Sequence, residues 1–279
     1  MHPLRLKLAG YANRTANYLR LGLAAFATAI ARSDIGIKST GTAGTAGTSN
    51  TPRPATRPQS VDVSDHYADL DIAPMQVLRD APVWMTAAER LSLYSLIYGT
   101  RPQRYLEIGT FYGGSALIVC AAMDALANHQ NEGHYDGRMV CLDPAHQVSP
   151  DHRARIAHRA TLLEGFSPGA LVEAERRAGG RFDFVLIDGD HSYASVLSDF
   201  TGVLTHLNPD AYLLFHDAFH PDVGRAIADG YMRNHTVLVD CGYVTREVTR
   251  HKESGQAAPQ VRESWCGLRL FRYHPKLHT

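Results

Sequence analysis

From residue 104 onward the chain alternates between short apolar runs and longer stretches with helical periodicity. The apolar runs are Arg104–Gly109 (RYLEIG), Arg138–Asp143 (RMVCLD), Thr161–Gly165 (TLLEG), Phe182–Asp188 (FDFVLID), Ala211–Asp217 (AYLLFHD), Thr236–Cys241 (TVLVDC) and Cys266–Tyr273 (CGLRLFRY). Their length and their bounding turn residues predict strands. Several are apolar almost without interruption, as expected of strands covered on both faces. Gly113–Leu126 and Ser192–Leu207 read as helices. In the second, Tyr193, Val196, Leu197, Phe200, Val203, Leu204 and Leu207 fall on one face. Upstream, Thr86–Glu89 (TAAE) is a capping box that opens a helix carrying Leu91, Tyr94 and Tyr98 at helical spacing. Strand–helix alternation predicts an α/β fold with a mainly parallel sheet and helices on both faces.

The N-terminal part has a different texture. Residues 1–33 carry Arg5, Lys7, Arg14, Arg20 and Arg32 around the apolar run Leu21–Ala31, which is shorter than the roughly 20 residues a membrane span needs. This basic segment, taken as 1–37, reads either as an amphipathic surface helix able to touch a membrane or as a targeting signal. Residues 38–60 are rich in Gly, Thr and Ala and then in Pro, so they read as a linker. The folded unit is expected over 61–279.

Composition narrows the function classes. With 28 basic and 28 acidic residues in 279, the formal charge is zero and the pI about 7.3, so nothing draws the chain toward nucleic acid. Cys120, Cys141, Cys241 and Cys266 are widely spaced, with no C-x-x-C, and predict free buried thiols rather than a disulfide framework. That fits a reducing, cytoplasmic setting.

In open α/β sheets ligands bind beyond the carboxyl ends of the strands, and the polar residues of this chain collect there. The first strand runs into Glu107–Ser115 (EIGTFYGGS), where Gly109, Gly113 and Gly114 allow a tight turn and Ser115 opens a helix whose free N–H groups favour an anion. The glycine spacing is neither G-x-G-x-x-G nor a P-loop, which disfavours a dinucleotide or a nucleoside triphosphate. The second strand ends in Asp143, placed to accept from a ribose diol or to cap the next helix. The third ends in Glu164–Ser167 (EGFS), with Ser167 a helix cap or a cofactor contact. The fourth ends in Asp188, followed by Asp190 and His191, and the fifth in His216 and Asp217. Asp188 and Asp217 then face each other, which favours a cation between them, and His191 is suited to be a general base. Asp190 is as well explained as a helix cap.

The order and spacing of YLEIGTFYGGSALIV, VCLDP, LLEGFS, FDFVLIDGDHSY and YLLFHDAF resemble class I S-adenosylmethionine-dependent methyltransferases. The likeness is nearest to the group that includes cephalosporin-hydroxylase-like and macrolide-sugar O-methyltransferases, with catechol O-methyltransferases more distant. It covers roughly residues 84–273. The resemblance implies a Rossmann-like seven-stranded sheet whose last strand runs antiparallel. It implies that Glu107, Gly109 and Ser115 hold the methionine part of the cofactor, with Thr110, Gly113 and Asp188 in the same cofactor set. Asp143 would take the ribose, and Gly165 and Ser167 would lie near the adenine. In metal-dependent relatives Mg²⁺ sits on an aspartate matching Asp188 and on an acidic pair after the fifth strand. Here that pair is His216 and Asp217, and the asparagine of catechol-type enzymes is Ala218. The metal is therefore absent, weaker or of another kind, since imidazole prefers transition metals.

The expected activity is transfer of a methyl group to a hydroxyl of a small molecule or sugar, with His191 as base and with or without metal help. A metal-independent methyltransferase and a non-catalytic cofactor-binding scaffold are the alternatives. A nicotinamide-linked oxidoreductase has the wrong glycine spacing. Acceptor contacts are expected from residues 61–84 and from the long polar loop Gly242–Trp265. Self-association is compatible with the sequence.

Overall fold

A computed structural model describes residues 73–128, 135–250 and 264–275. The expected basic segment, linker and possible membrane contact at 1–60 lie outside these residues. Among the described residues no helix is long and apolar enough to cross a membrane.

A 3-10 turn (Ala73–Gln76) and a short helix α1 (Val77–Asp80) lead into α2 (Ala87–Thr100), then β1 (Arg104–Ile108), α3 (Gly114–Asn128), β2 (Arg138–Asp143), α4 (Pro150–Ile156) and β3 (Ala160–Glu164). There follow α5 (Leu171–Ala178), β4 (Phe182–Ile187), α6 (Tyr193–Val203), a 3-10 turn (Leu204–His206), β5 (Leu207–Phe215), α7 (Pro221–Asn234) and β6 (Leu238–Tyr243). A two-stranded ribbon of β7 (Thr249–Arg250) and β8 (Ser264–Trp265) precedes β9 (Arg269–Tyr273).

The main sheet has seven strands in the order β3-β2-β1-β4-β5-β9-β6. All pairings are parallel except those of β9, which runs antiparallel between β5 and β6. This is the Rossmann-like arrangement expected. The order reverses between β1 and β4, so a crevice opens at their carboxyl ends.

The central strands β1, β2 and β4 read as near-continuous apolar runs because both faces are buried. Tyr105, Met139, Cys141, Phe184, Leu186 and Leu214 pack in one cluster with α2 and α3. Leu106, Val140, Leu142, Val185, Leu213 and Phe215 pack in another with α5, α6 and α7. Neighbouring residues thus alternate between two cores.

The Thr86–Glu89 capping box is present in full. The buried face of α2 is Leu93, Tyr94, Leu96 and Ile97 rather than the expected Leu91, Tyr94 and Tyr98, of which only Tyr94 is fully buried. The face of α6 is as expected, with Val196, Phe200 and Val203 buried and Tyr193 and Leu197 packed beside them. Strand β5 begins four residues earlier than its apolar run. Phe182 pairs with Leu207 and Phe184 with Tyr212, so Asn208–Ala211 form a bulge that reads as a turn in sequence.

Candidate active site

A cavity of about 610 Å³ opens at the carboxyl ends of β1, β2, β3, β4 and β5. That is ample for one elongated small ligand. Of the expected site residues, Gly109, Thr110, Ser115, Asp143, Gly165, Ser167, Asp188, His191, His216 and Asp217 all line it. Glu107 and Gly113 do not. Gly113 is set behind the lining, and Glu107 lies fully buried in β1.

Gly109 leaves β1 at φ +91°, in the left-handed region. A Cβ there would overlap the carbonyl group of Asp188 and come within 2.7 Å of Gly189 Cα. The bare glycine lets the loops after β1 and β4 touch. Helix α3 begins at Gly114, one residue before the expected Ser115. A Cβ at Gly114 would strike the carbonyl of Pro82, so this glycine admits the chain segment that brings Pro82, Val83 and Trp84 to the cavity. Arg90 fixes that segment. Its guanidinium donates to the carbonyls of Leu78 (2.9 Å), Ala81 (3.0 Å), Val83 (2.5 Å) and Met85 (2.9 Å).

Asp143 braces its surroundings as well as facing the cavity. Its Oδ2 accepts from the N–H groups of Thr110 and Phe111, each at 2.9 Å, and its Oδ1 accepts from that of Ala145 at 2.8 Å. Three backbone donors hold the carboxylate in place and leave it limited capacity for further donors. Ser167 is not a helix cap: the cap of α5 is Ala170, and Ser167 Oγ is buried with no hydrogen-bond partner. Asp190 is not the cap of α6 either. It accepts from Ser192 N at 2.5 Å, and Ser192 caps the helix through Ser195 N.

Glu107 Oε1 is likewise buried without a partner. Burial pushes its carboxyl up to about 8, against the opposing pull of the nearby Ser115, Tyr105 and Thr110 hydroxyls. An ammonium group brought beside it would favour the carboxylate. At pH 7, binding of S-adenosylhomocysteine is therefore expected to release protons, and affinity should rise as pH climbs toward about 8. Calorimetry in buffers of different ionisation enthalpy measures this, and Glu107→Gln should abolish it.

The ionisable groups converge at the ends of β4 and β5. His216 Nδ1 lies 2.9 Å from Asp188 Oδ1 and 3.1 Å from Asp217 Oδ2. His191 Nε2 lies 2.8 Å from Asp217 Oδ2 and 3.9 Å from Asp188 Oδ1. The short His191–Asp217 approach is off the N–H axis, so it is an ion contact and Nε2 has no directed hydrogen bond. Burial would depress both imidazoles, but the carboxylates outweigh it. Asp217 and Asp188 raise His191, and Asp188, Asp217 and Glu89 raise His216 well above the ordinary histidine value. Asp217 is disfavoured as an anion by burial, yet His191 and His216 hold it below the usual carboxylate range.

Asp217 also has a left-handed backbone, φ 51°, and its Oδ1 accepts from Cys266 N at 2.5 Å. A strained residue held at the centre of an ionisable cluster fits a functional position. Asp188, His191 and Asp217 each offer a donor atom within 4.8 Å of the others. Two carboxylates, a neighbouring imidazole nitrogen and the undirected His191 Nε2 suit a divalent cation.

Four further residues at the site are not among the expected site residues. Glu89, fully buried, reaches the cluster from α2. Asp199 lines the cavity from α6, and burial pushes its carboxyl up to about 6. Its signal was visible, since it stands three residues after Val196 and four before Val203, on the apolar face. Trp84, 81% exposed, stands at the mouth beside Phe111, with ring centroids 5.9 Å apart. Trp265 meets the His191 ring edge-on at 5.2 Å. Trp84 belongs to the segment 61–84 and Trp265 to the loop Gly242–Trp265, from which acceptor contacts are expected; residues 61–72 and 251–263 of these segments lie outside the described residues.

A second donor set, Cys120, Asp124 and His158, lies away from the cavity. There Asp124 is already paired with Arg159 at 2.5 Å, and burial pushes the Cys120 thiol up to about 12.

The strand order with its antiparallel β9, and a ligand crevice at the β1/β4 reversal, define a class I methyltransferase fold. Residues 106–218 match the family described as a methyltransferase domain. With the fold, that match makes the domain similar to the S-adenosylmethionine-dependent methyltransferases of class I. An O-methyltransferase from Bacillus cereus solved with S-adenosylhomocysteine is similar, at TM-score 0.50 and 16% identity over 76% of this chain and 94% of that one. The O-methyltransferase TomG from Streptomyces achromogenes, solved with S-adenosylmethionine, scores 0.50 at 18% identity with the same coverage. In sequence, protein y4gI of Sinorhizobium fredii is 27% identical over 134 residues, 44% of this chain. The match spans 14% of that relative's length.

Proposed function

We propose that the domain methylates a hydroxyl oxygen of a small molecule or sugar, with His191 as the group that takes the hydroxyl proton. The observation that carries this reading is the His191–Asp217 pair on the wall of a cavity of cofactor size. His191 is about one-third exposed there, accessible to an acceptor, while the buried Asp217 stands 2.8 Å from its Nε2. A carboxylate in that place orients the imidazole and stabilises it once it carries the extra proton. The names of the two structural relatives support oxygen as the accepting atom.

S-adenosylmethionine supplies an electrophilic sulfonium methyl when bound. The chain's own contribution is to hold that cofactor along Gly109–Ser115, Asp143 and Gly165–Ser167, and to hold the acceptor oxygen beside His191. Positioning of this kind is worth about 7–11 kcal/mol of a barrier at best. Asp188, Asp217 and His216 would hold a divalent cation, which lowers the pKa of a hydroxyl bound beside it.

The exposed rings of Trp84 and Phe166, 81% and 74% accessible, flank the mouth and suit an acceptor with an apolar or planar face. Trp84→Ala is expected to raise the acceptor KM roughly tenfold, the scale of one aromatic contact. Its affinity for S-adenosylhomocysteine should be unchanged. Steady-state kinetics and calorimetry separate the two.

The activity itself is tested by incubating the full chain with S-adenosylmethionine and a panel of sugars, phenols and alcohols. Mass spectrometry then reads S-adenosylhomocysteine and product. O-methylated product is expected. Methyl groups found only on nitrogen or carbon, or none on any acceptor, would contradict the reading.

A further inference from the structure

Glu89 is a capping-box residue in an unusual place. The side chains of such glutamates ordinarily lie at the surface, but Glu89 is wholly buried. Its Oε2 accepts from Thr86 N at 2.7 Å, closing the box. Its Oε1 accepts from Gly267 N at 2.5 Å, on the chain leading into β9. The same Oε2 lies 3.5 Å from His216 Nε2, too long for a hydrogen bond as it stands. Burying a carboxylate is costly unless its charge meets a partner. Helix capping does not require that burial, and the group the carboxylate faces is an imidazole.

His216 is bracketed by this arrangement. One ring nitrogen, Nδ1, faces Asp188 Oδ1 and Asp217 Oδ2 at 2.9 and 3.1 Å. The other points back at Glu89. A histidine whose far nitrogen donates to a carboxylate is held in one tautomer and one orientation, with the near nitrogen free to bind a metal. The ligand atoms facing the cavity are then two carboxylate oxygens and one imidazole nitrogen. Mg²⁺ favours oxygen, whereas an imidazole in the set favours first-row transition ions.

We propose that Glu89 is a positioning residue that orients His216 as a nitrogen ligand, so that Asp188, His216 and Asp217 take a divalent first-row transition ion in preference to Mg²⁺. With an ion on Nδ1, Nε2 would carry the N–H and a small ring rotation would close the 3.5 Å gap to Glu89. The role of the ion rests on the methyltransferase reading, but the ion site stands on these side chains alone.

The test uses the full chain, stripped of metal, in a Cys120→Ser background that disables the second donor set. Co²⁺ and Mg²⁺ are titrated separately, read by calorimetry and, for Co²⁺, by its visible absorption. S-adenosylhomocysteine affinity and thermal stability are recorded alongside. Co²⁺ is expected to bind at least about tenfold more tightly than Mg²⁺. Glu89→Gln should weaken Co²⁺ by about 10–100-fold with the melting temperature retained. His216→Asp should turn the preference toward Mg²⁺, and it carries the test alone if Glu89→Gln does not fold. Equal affinity for the two ions, no Co²⁺ binding by folded protein, or an unchanged Co²⁺ affinity in Glu89→Gln would each overturn the proposal. Co²⁺ binding without any S-adenosylhomocysteine binding would leave the ion site standing and remove the methyltransferase reading instead.

Discussion

Replacing His191 by alanine is expected to lower turnover by about 10²–10⁴-fold, the usual contribution of a positioned general base. Affinity for S-adenosylhomocysteine should not change. The imidazole lies at the end of the cavity formed by β4 and β5, against Asp217, whereas the expected cofactor contacts come from the loops after β1, β2 and β3 and, at the end of β4, from Asp188 alone. The loss should therefore fall on kcat rather than on cofactor binding. The variant should also fold normally, because His191 packs edge-on against Trp265 at the surface of the site rather than in either core. Single-turnover measurements on an identified acceptor check this. Full turnover in His191→Ala would remove the residue from the role of base and shift attention to His216.

The second large effect is expected at Gly109. A side chain there has to occupy a backbone at φ +91° and also displace the carbonyl of Asp188. Left-handed strain and overpacking each cost roughly 1–3 kcal/mol, so Gly109→Ala should destabilise the domain by roughly 2–6 kcal/mol. Thermal or urea unfolding reads that loss. The functional loss should exceed it, because the displaced residue is Asp188 itself. Any folded Gly109→Ala protein should thus bind S-adenosylhomocysteine more weakly than the parent. A variant with parental stability and affinity would show that the loops after β1 and β4 do not need to touch.

The sheet was legible because both of its faces are buried. The central strands β1, β2 and β4 therefore carry apolar runs marked by their length and bounding turns, and the less buried β3, β6 and β9 carry shorter or interrupted ones. The exception is instructive. Asn208, Pro209 and Asp210 look like a turn, yet they sit in a bulge within β5, where the irregular pairing with β4 spares them from ladder hydrogen bonds. The antiparallel placement of β9 came from family resemblance, since an apolar run does not reveal its direction.

The site was legible where function sits next to a strand end. Asp143, Asp188, His191, His216 and Asp217 all follow such runs, and the fold brings them to one cavity. Glu89 was recognised as half of a capping box, which is a local signal. Its contact with Gly267 spans 178 residues and its approach to His216 spans 127, so its second role exists only in the folded chain. Trp84 and Trp265 were missed as individuals for the same reason. Asp199 was different: an acid on an apolar helix face is a pattern visible before folding.

The central claim is that this cavity takes the methyl-donor cofactor. Its most direct test is a calorimetric titration of S-adenosylhomocysteine into the full chain and into Asp143→Ala. A single site is expected, weakened by Asp143→Ala, because that carboxylate both lines the cavity and holds the loop at Thr110 and Phe111. No binding by folded protein, or equal binding by the two chains, would contradict it.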